Sequence, residues 1–133
     1  MKITHYSQVD LENVEMEGAR GARIRWLISD KDGAPNFATR LFEVDPGGFT
    51  PYHSHSWEHE NFIVAGEGVL TTANGEFPFH PGDVIYVEPN LKHNYRNTGK
   101  DILKFLCIIP LNKSKKQEKK IINPFAAGVA SNC

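Results

Sequence analysis

The stretch that decides the fold is residues 52–80, which read YHSHSWEHENFIVAGEGVLTTANGEFPFH. It contains two β-like runs, 68–72 and 76–80, separated by a turn that includes Asn74 and Gly75. An Asn-Gly pair between two such runs is a strong indication of a β-hairpin, because both residues tolerate the positive φ angles of a tight turn. The stretch therefore predicts antiparallel strands in the middle of the chain.

Further runs rich in β-branched and aromatic residues flank this hairpin on both sides. They are separated by turn-forming segments, with a spacing of roughly 8 to 12 residues and no helical period between them. The predicted strands are 23–28, 37–44, 52–55, 61–65, 68–72, 76–80, 83–88, 93–97 and 102–109. This pattern predicts an all-β protein, an antiparallel sandwich or barrel.

The length of 133 residues and the ordinary apolar content of 40% predict one globular domain. We divide the chain into an N-terminal strand or arm (1–22), a β-domain (23–110) and a C-terminal extension (111–133) that is basic and then apolar. The apolar segment 121–129 is expected to pack on the β-domain or on a partner subunit.

Charge is distributed unevenly along the chain. Residues 1–112 contain ten Lys or Arg against fifteen Asp or Glu, whereas residues 113–133 contain five Lys against one Glu. The basic run is typical of a solvated extension. An acidic body that lacks a basic surface interleaved with aromatic residues argues against a nucleic-acid partner.

The composition also bears on where the protein works. No run approaches the roughly 20 apolar residues that cross a membrane, and the first residues lack the apolar core of a signal peptide. Only two cysteines occur, Cys107 and Cys133, too few for a disulfide framework. These features predict a cytoplasmic protein with no membrane partner.

Four of the six histidines occur in an arrangement typical of a metal site. His53 and His55 form a His-Ser-His pair, His59 follows four residues later, and His93 comes after a predicted turn. Side chains two apart on a strand point to one face, so the pair would start a coordination sphere. The sequence therefore predicts that these imidazoles converge on one ion.

The spacing of these histidines relative to glycines and prolines resembles the two motifs of the cupin family. The first is matched by Gly47, five residues, His53-Ser-His55, three residues, His59-Glu60, and then Gly66 and Gly68; the second by Pro81-Gly82-Asp83, Pro89, His93 and Asn97. The resemblance covers roughly residues 20–110. It implies a small single-domain cupin with a double-stranded β-helix (jelly-roll) barrel over 23–110, a metal in its mouth, and a homodimer.

The identity of the third ligand is open between His59 and Glu60. Adjacent strand residues point to opposite faces, so only one of the two enters the barrel. The resemblance to small cupins with four histidine ligands favours His59. Apolar matching favours Glu60, because an inward Glu60 would bring Phe62 and Val64 into the barrel as well.

Imidazole ligands suit iron, copper, nickel and zinc, and the resemblance implies that manganese is possible too. We expect one divalent transition metal ion per subunit: Mn, Fe or Cu, with Zn or Ni as further options. Four protein ligands on an octahedral ion leave two open positions for O2, peroxide or a bidentate oxyanion. A closed, structural zinc site is the alternative.

The predicted substrate pocket involves two chemically unusual residues. Arg40 shares a strand face with Phe42, so it either extends to solvent or lies at the barrel mouth and pairs with a substrate carboxylate. Cys107 shares a face with Phe105 on a strand that the resemblance places beside the metal. It is either an ordinary core residue or an oxidisable neighbour of the ion.

Arg40 and Cys107 are thus the candidate catalytic residues, and Trp57 and Phe105 complete the predicted pocket. Tyr95 and Asn97 share a face with His93, and we expect them to orient its ring through hydrogen bonds.

Three functions remain compatible with the sequence. The first is a metal-dependent dioxygenase or peroxide-dependent oxidase that acts on a small organic substrate. The second is a redox-neutral isomerase or decarboxylase, which needs a general base near the metal. The third is a non-catalytic module that binds a metal or a small ligand.

Overall fold

The computed structural model describes residues 1–111, and residues 112–133 lie outside the described part. Two short 3-10 helices, Tyr6–Gln8 and Asp30–Asp32, accompany nine strands. The strands are β1 Glu12–Asn13, β2 Arg20–Ile28, β3 Phe37–Phe49, β4 His59–Ala65, β5 Gly68–Thr72, β6 Gly75–Phe79, β7 Val84–Val87, β8 Asn94–Asn97 and β9 Leu103–Pro110. Within residues 1–111, no helix has the length and apolar character that a membrane crossing requires.

All strand pairs are antiparallel, and seven strands follow one path in the order β6-β5-β8-β3-β9-β4-β7. β2 pairs with β3 from outside this path, and β1 pairs with β2. The predicted all-β jelly-roll fold is confirmed. The prediction for the apolar segment 121–129 falls outside the described residues.

The β5–β6 hairpin forms where the Asn-Gly pair predicts it. The register pairs Gly68 with Phe79 and Thr72 with Gly75, so residues 73 and 74 form the loop. Gly75 has a φ of 127°, which a residue with a side chain rarely adopts. The Thr72 hydroxyl also accepts a hydrogen bond from the Asn74 amide at 3.0 Å, which closes the turn.

β3 is longer than the sequence predicts. The Pro46-Gly47-Gly48 segment indicates a turn after residue 44, but β3 continues to Phe49. The register with β2 shifts there, because Val44 pairs with Ala22 and Phe49 pairs with Arg20. The proline and glycines are thus accommodated by an irregularity within the strand. Residues 37–44 of β3 pair with β9, and the extension lets β3 pair with β8 at Phe49 as well.

The predicted strand at 52–55 is wrong. Within this segment only His53 forms a β-bridge, and its partner is His93, with an N–H···O distance of 3.1 Å in each direction. Pro51 has no backbone N–H to continue a ladder from Thr50. His53 and His55 therefore lie in a loop, which is held at His53 by the bridge to His93.

The barrel core is built mainly by the inward faces of β3 and β9. On β9 the alternation matches the expectation, with Leu103, Phe105, Cys107 and Ile109 buried. The Phe105 ring stacks on Phe42 and on Tyr95, with centroid separations of 5.2 and 4.5 Å. These aromatic contacts form the floor beneath the histidines.

Candidate metal centre

Three of the predicted ligands meet inside the barrel. One ligand atom from each of His55, His59 and His93 lies within 4.8 Å of those of the other two. The Nε2 atoms of His55 and His59 are only 2.8 Å apart. His59 and His93 are fully buried. Within residues 1–111, this cluster includes no carboxylate.

His53 lies beside this cluster but is not one of its three members. Its ring centroid is 5.3 Å from that of His55 and 5.8 Å from that of His93. Its Nε2 is buried and has no hydrogen-bond partner among residues 1–111. A buried polar atom left in this state fits a missing ligand. The role of His53 as a fourth ligand stays a prediction.

The phase of β4 decides between His59 and Glu60. His59, Asn61 and Ile63 are buried, whereas Glu60 is exposed. In the sheet register, Glu60 lies opposite Tyr86 of β7 and Ile108 of β9. The apolar-match argument for an inward Glu60 is therefore wrong, because the inward side of β4 carries His59 and Asn61 together with Ile63.

Backbone carbonyls orient three of the four rings. In each, Nδ1 contacts the carbonyl oxygen of a residue two positions away: Pro51 for His53 at 3.2 Å, Trp57 for His55 at 2.8 Å and Leu91 for His93 at 2.7 Å. A carbonyl oxygen only accepts hydrogen bonds, so Nδ1 must carry the proton. The lone pair of each neutral ring is then at Nε2, where a metal ion can use it.

The fourth ring, that of His59, has a different partner. Its Nδ1 lies 3.1 Å from the sulfur of Cys107. The Nη2 group of Arg40 donates to the same sulfur at 2.8 Å. All three residues are fully buried, so these contacts are shielded from water.

The surroundings favour the neutral form of His53 and His59. Burial lowers the pKa of His59 far below its usual range, and the positive charge of Arg40 and the neighbouring histidines lower it further. Burial and then His93 lower the pKa of His53. Neutral imidazole is the form that binds metal ions. The rings of His53 and His59 are therefore available as ligands at physiological pH.

Comparison with known proteins agrees with this fold. The family model described as a cupin domain matches residues 40–109. The chain belongs to the cupin family. Among curated relatives, this cupin is 31% identical to an oxalate-binding protein of Thermotoga maritima, over 82% of this chain and 93% of that protein.

One solved structure resembles this cupin over almost its whole length. It is the polyketide cyclase RemF from Streptomyces resistomycificus, with a TM-score of 0.79, 28% identity and coverage of 97% of this chain and 98% of that one. A gentisate 1,2-dioxygenase of Ralstonia is 34% identical over half of this chain but only 19% of its own length. The family thus includes proteins with several activities.

The predicted pocket residues of this cupin occupy different positions relative to the cluster. Trp57 is half-buried and stacks on the His55 ring at a centroid distance of 4.6 Å. Phe105 belongs to the core below the site. Arg40 does not extend to solvent, because it is fully buried between the rings of Trp26 and Phe42, 5.4 and 5.2 Å from its guanidinium carbon.

The two residues expected to orient His93 make other contacts. The Tyr95 hydroxyl donates to Asn61 at 2.6 Å, and the edge of the Tyr95 ring packs against His93. The Asn97 amide donates to the carbonyl oxygens of Val44 and Asp101, both at 2.8 Å. Asn97 therefore stabilises strand ends, and the Leu91 carbonyl is the oxygen that contacts the His93 Nδ1.

Sequence reasoning missed the role of Asn61. Its Nδ2 donates to the Leu106 carbonyl at 3.1 Å, and its Oδ1 accepts from Tyr95. Asn61 lies two residues after His59 and therefore shares its inward face. The period-two pattern could have identified it once the phase of β4 was known.

Proposed function

We propose that this cupin binds one divalent transition metal ion through His53, His55, His59 and His93 and acts on a small organic substrate. The observation that carries the proposal is the close approach of imidazole nitrogens whose protons are directed elsewhere. Nε2 of His55 carries a lone pair because its Nδ1 donates to the Trp57 carbonyl, so its approach to Nε2 of His59 at 2.8 Å requires a proton or a cation between the two nitrogens. We propose Mn, Fe or Cu as the ion, with Zn or Ni as further options; imidazole ligands suit all of these except manganese, which the family resemblance implies.

The substrate is proposed to present an anionic oxygen, such as a carboxylate or an enolate. When bound, the metal ion supplies Lewis acidity and open positions that such oxygens can occupy. The described cluster contributes no carboxylate charge, and the buried guanidinium of Arg40 adds a fixed positive charge nearby. Both features favour an anionic ligand in a site of low dielectric. The similarity to an oxalate-binding protein supports the same class.

The proposed reaction is oxidation of such a substrate with O2 or peroxide. The local similarity to a gentisate 1,2-dioxygenase supports it. The test supplies the iron, manganese or copper form with an enolisable 1,3-diketone and records O2 consumption against substrate loss. We expect His53→Ala to abolish metal uptake and turnover, whereas the outward variant Glu60→Ala keeps both. Turnover that survives in His53→Ala would reject the assignment.

A redox-neutral reaction is the second candidate. The observation that favours it is the similarity to the polyketide cyclase RemF over nearly the full length of both chains. In this case the metal ion would polarise an enolate or carbonyl without a change in redox state. Metal-dependent substrate loss that continues under strict exclusion of O2 and peroxide would support it and reject the oxidase. Stabilisation by oxalate without turnover of any probe would instead support a binding module.

We also propose that this cupin is a homodimer. The outer face of β4 and β7 exposes Phe62, Val64, Val84 and Tyr86, and Phe62 pairs directly with Val84 in the sheet. A contiguous exposed apolar patch is typical of an interaction surface, and a symmetric pair of copies is the commonest assembly. Light scattering should give twice the chain mass of 15.0 kDa. A value near 15.0 kDa would reject the dimer.

A further inference from the structure

The His59 ring is held differently from the other three rings of the cluster. Backbone carbonyls are the Nδ1 partners of His53, His55 and His93. The Nδ1 of His59 instead contacts a side chain, the thiol of Cys107, at 3.1 Å. A carbonyl belongs to the backbone and cannot be changed by a substitution, whereas a thiol can. The orientation of this ring therefore depends on the residue at position 107.

The sheet register explains why this thiol reaches the ring. β9 lies between β3 and β4, and Cys107 pairs with Arg40 on one side and with Asn61 on the other. His59 is two residues from Asn61 on the same inward face of β4. Side chains that share a face on neighbouring strands are in contact range. The register thus places Cys107 between Arg40 and Asn61 and diagonally next to His59.

The chemistry of Arg40, Cys107 and His59 sets the direction of the hydrogen bonds among them. Arg40 can only donate, so the sulfur presents a lone pair to its Nη2 group at 2.8 Å. For Nε2 of His59 to offer a lone pair to a metal ion, Nδ1 must carry the ring proton and donate it to an acceptor. Within residues 1–111 the sulfur of Cys107 is the acceptor at this position.

We propose that Cys107 is a positioning residue of the metal centre: its sulfur, held by Arg40, sets the tautomer and orientation of the His59 ring. This inference rests on the proposed metal binding. It gives Cys107 a role that acts through His59 rather than through contact with substrate. The outer hydrogen-bond partners of metal-binding histidines typically change metal affinity by about 10- to 100-fold when they are removed.

The first experiment measures the dissociation constant of Co2+ by competition with a chelator, together with the visible spectrum of the bound ion. We expect Cys107→Ala to weaken binding by about 10- to 100-fold and to alter the spectrum. Cys107→Ser retains an acceptor and should recover most of the affinity. The matched control is Ile109→Val, which removes one buried methylene from the same face of β9 and should bind as the wild type does.

Two outcomes of this experiment would overturn the proposal. One is a dissociation constant for Cys107→Ala within about twofold of the wild-type value, below the range for such partners. The other is an equal loss in Ile109→Val, which would indicate a general packing effect on β9.

A second measurement separates this proposal from the proposed function. Long-range 1H–15N spectra of the metal-free protein report the ring nitrogens of each histidine. We expect Cys107→Ala to shift the His59 nitrogens most, to shift Nε2 of His55 as well because it contacts His59, and to leave His53 and His93 nearly unchanged. Unchanged His59 shifts would overturn the positioning role. Failure of the wild-type protein to bind any divalent ion would reject the proposed function, while the ring spectra would still decide the role of Cys107.

Discussion

The inner face of β4 carries two polar residues beside Ile63, whereas its outer face carries two large apolar ones. His59 and Asn61 point into the barrel and are at most 5% exposed, whereas Phe62 and Val64 on the outer face are 44% and 46% exposed. A half-buried strand usually turns its apolar residues inward. The polar residues of β4 that point inward are therefore those with specific polar partners on other strands, and apolar matching alone does not identify them.

The inward polar groups of β4 lie against specific polar partners. The Asn61 amide bonds to the Leu106 carbonyl and to the Tyr95 hydroxyl, and the His59 ring lies between His55 and Cys107. A buried polar group without a partner costs about 1–3 kcal/mol. The inner face of β4 is thus viable only within this set of contacts, whereas the outer face needs no such partners.

The largest expected difference between the two faces is in metal affinity. His59→Ala removes a ligand atom from the cluster, so we expect its affinity for Co2+ to fall by more than about 100-fold, the upper end for the loss of an outer partner. Glu60→Ala, one residue away on the outer face, should stay within about twofold. Competition titrations measure both. Equal losses would show that the ligand assignment on β4 is wrong.

Stability should differ between the faces as well. Asn61→Ala leaves the Tyr95 hydroxyl and the Leu106 carbonyl without their present partner, so we expect the free energy of unfolding to fall by about 1–3 kcal/mol. Val64→Ala on the outer face should cost less than about 1 kcal/mol, because the side chain is half exposed. Urea unfolding of the metal-free proteins compares them. A larger loss of stability in Val64→Ala than in Asn61→Ala would contradict the expectation that substitutions on the inner face are more destabilising.

The metal-free protein should lose stability as the pH falls below about 6.5, the unfolded pKa of histidine. Burial and Arg40 hold the folded pKa of His59 far below that value, so the unfolded chain binds a proton that the folded protein does not. The free energy of unfolding should then decrease by up to about 1.4 kcal/mol per pH unit for each such histidine. Unfolding curves between pH 7.5 and 5 measure this slope, and His59→Gln should reduce it. A flat profile would argue against a neutral, buried His59.

The smallest expected effect on the site comes from the outer face. Phe62→Asp places a charge in the exposed apolar patch, opposite Val84 of β7. We expect the solution mass to fall to that of one chain, because an unpaired charge in a dimer interface is costly. Metal affinity should stay within about twofold, since the side chain points away from the cluster. A dimer that persists in Phe62→Asp would exclude this face as the interface.

Several parts of the fold follow from local chemistry and could be predicted. The β5–β6 hairpin comes from the Asn74-Gly75 turn, and the buried face of β9 comes from a clean alternation. The extension of β3 past Pro46 and the loop at 52–55 were not predictable in this way. In both places a proline or glycine interrupts the local pattern, and long-range pairing with β2, β8 or His93 decides the outcome.

The sequence by itself determined the class of the protein and the kind of chemistry available to it, because histidine spacing and turn residues are local properties. Only the tertiary structure decided which face of β4 points inward. The two sets of alternate side chains, one beginning at His59 and the other at Glu60, are offset by a single residue, and either set could enter a barrel. The tertiary structure alone also brought Arg40 to Cys107 and Cys107 to His59, over sequence separations of 67 and 48 residues. Contacts of that range depend on strand register, which no local pattern specifies.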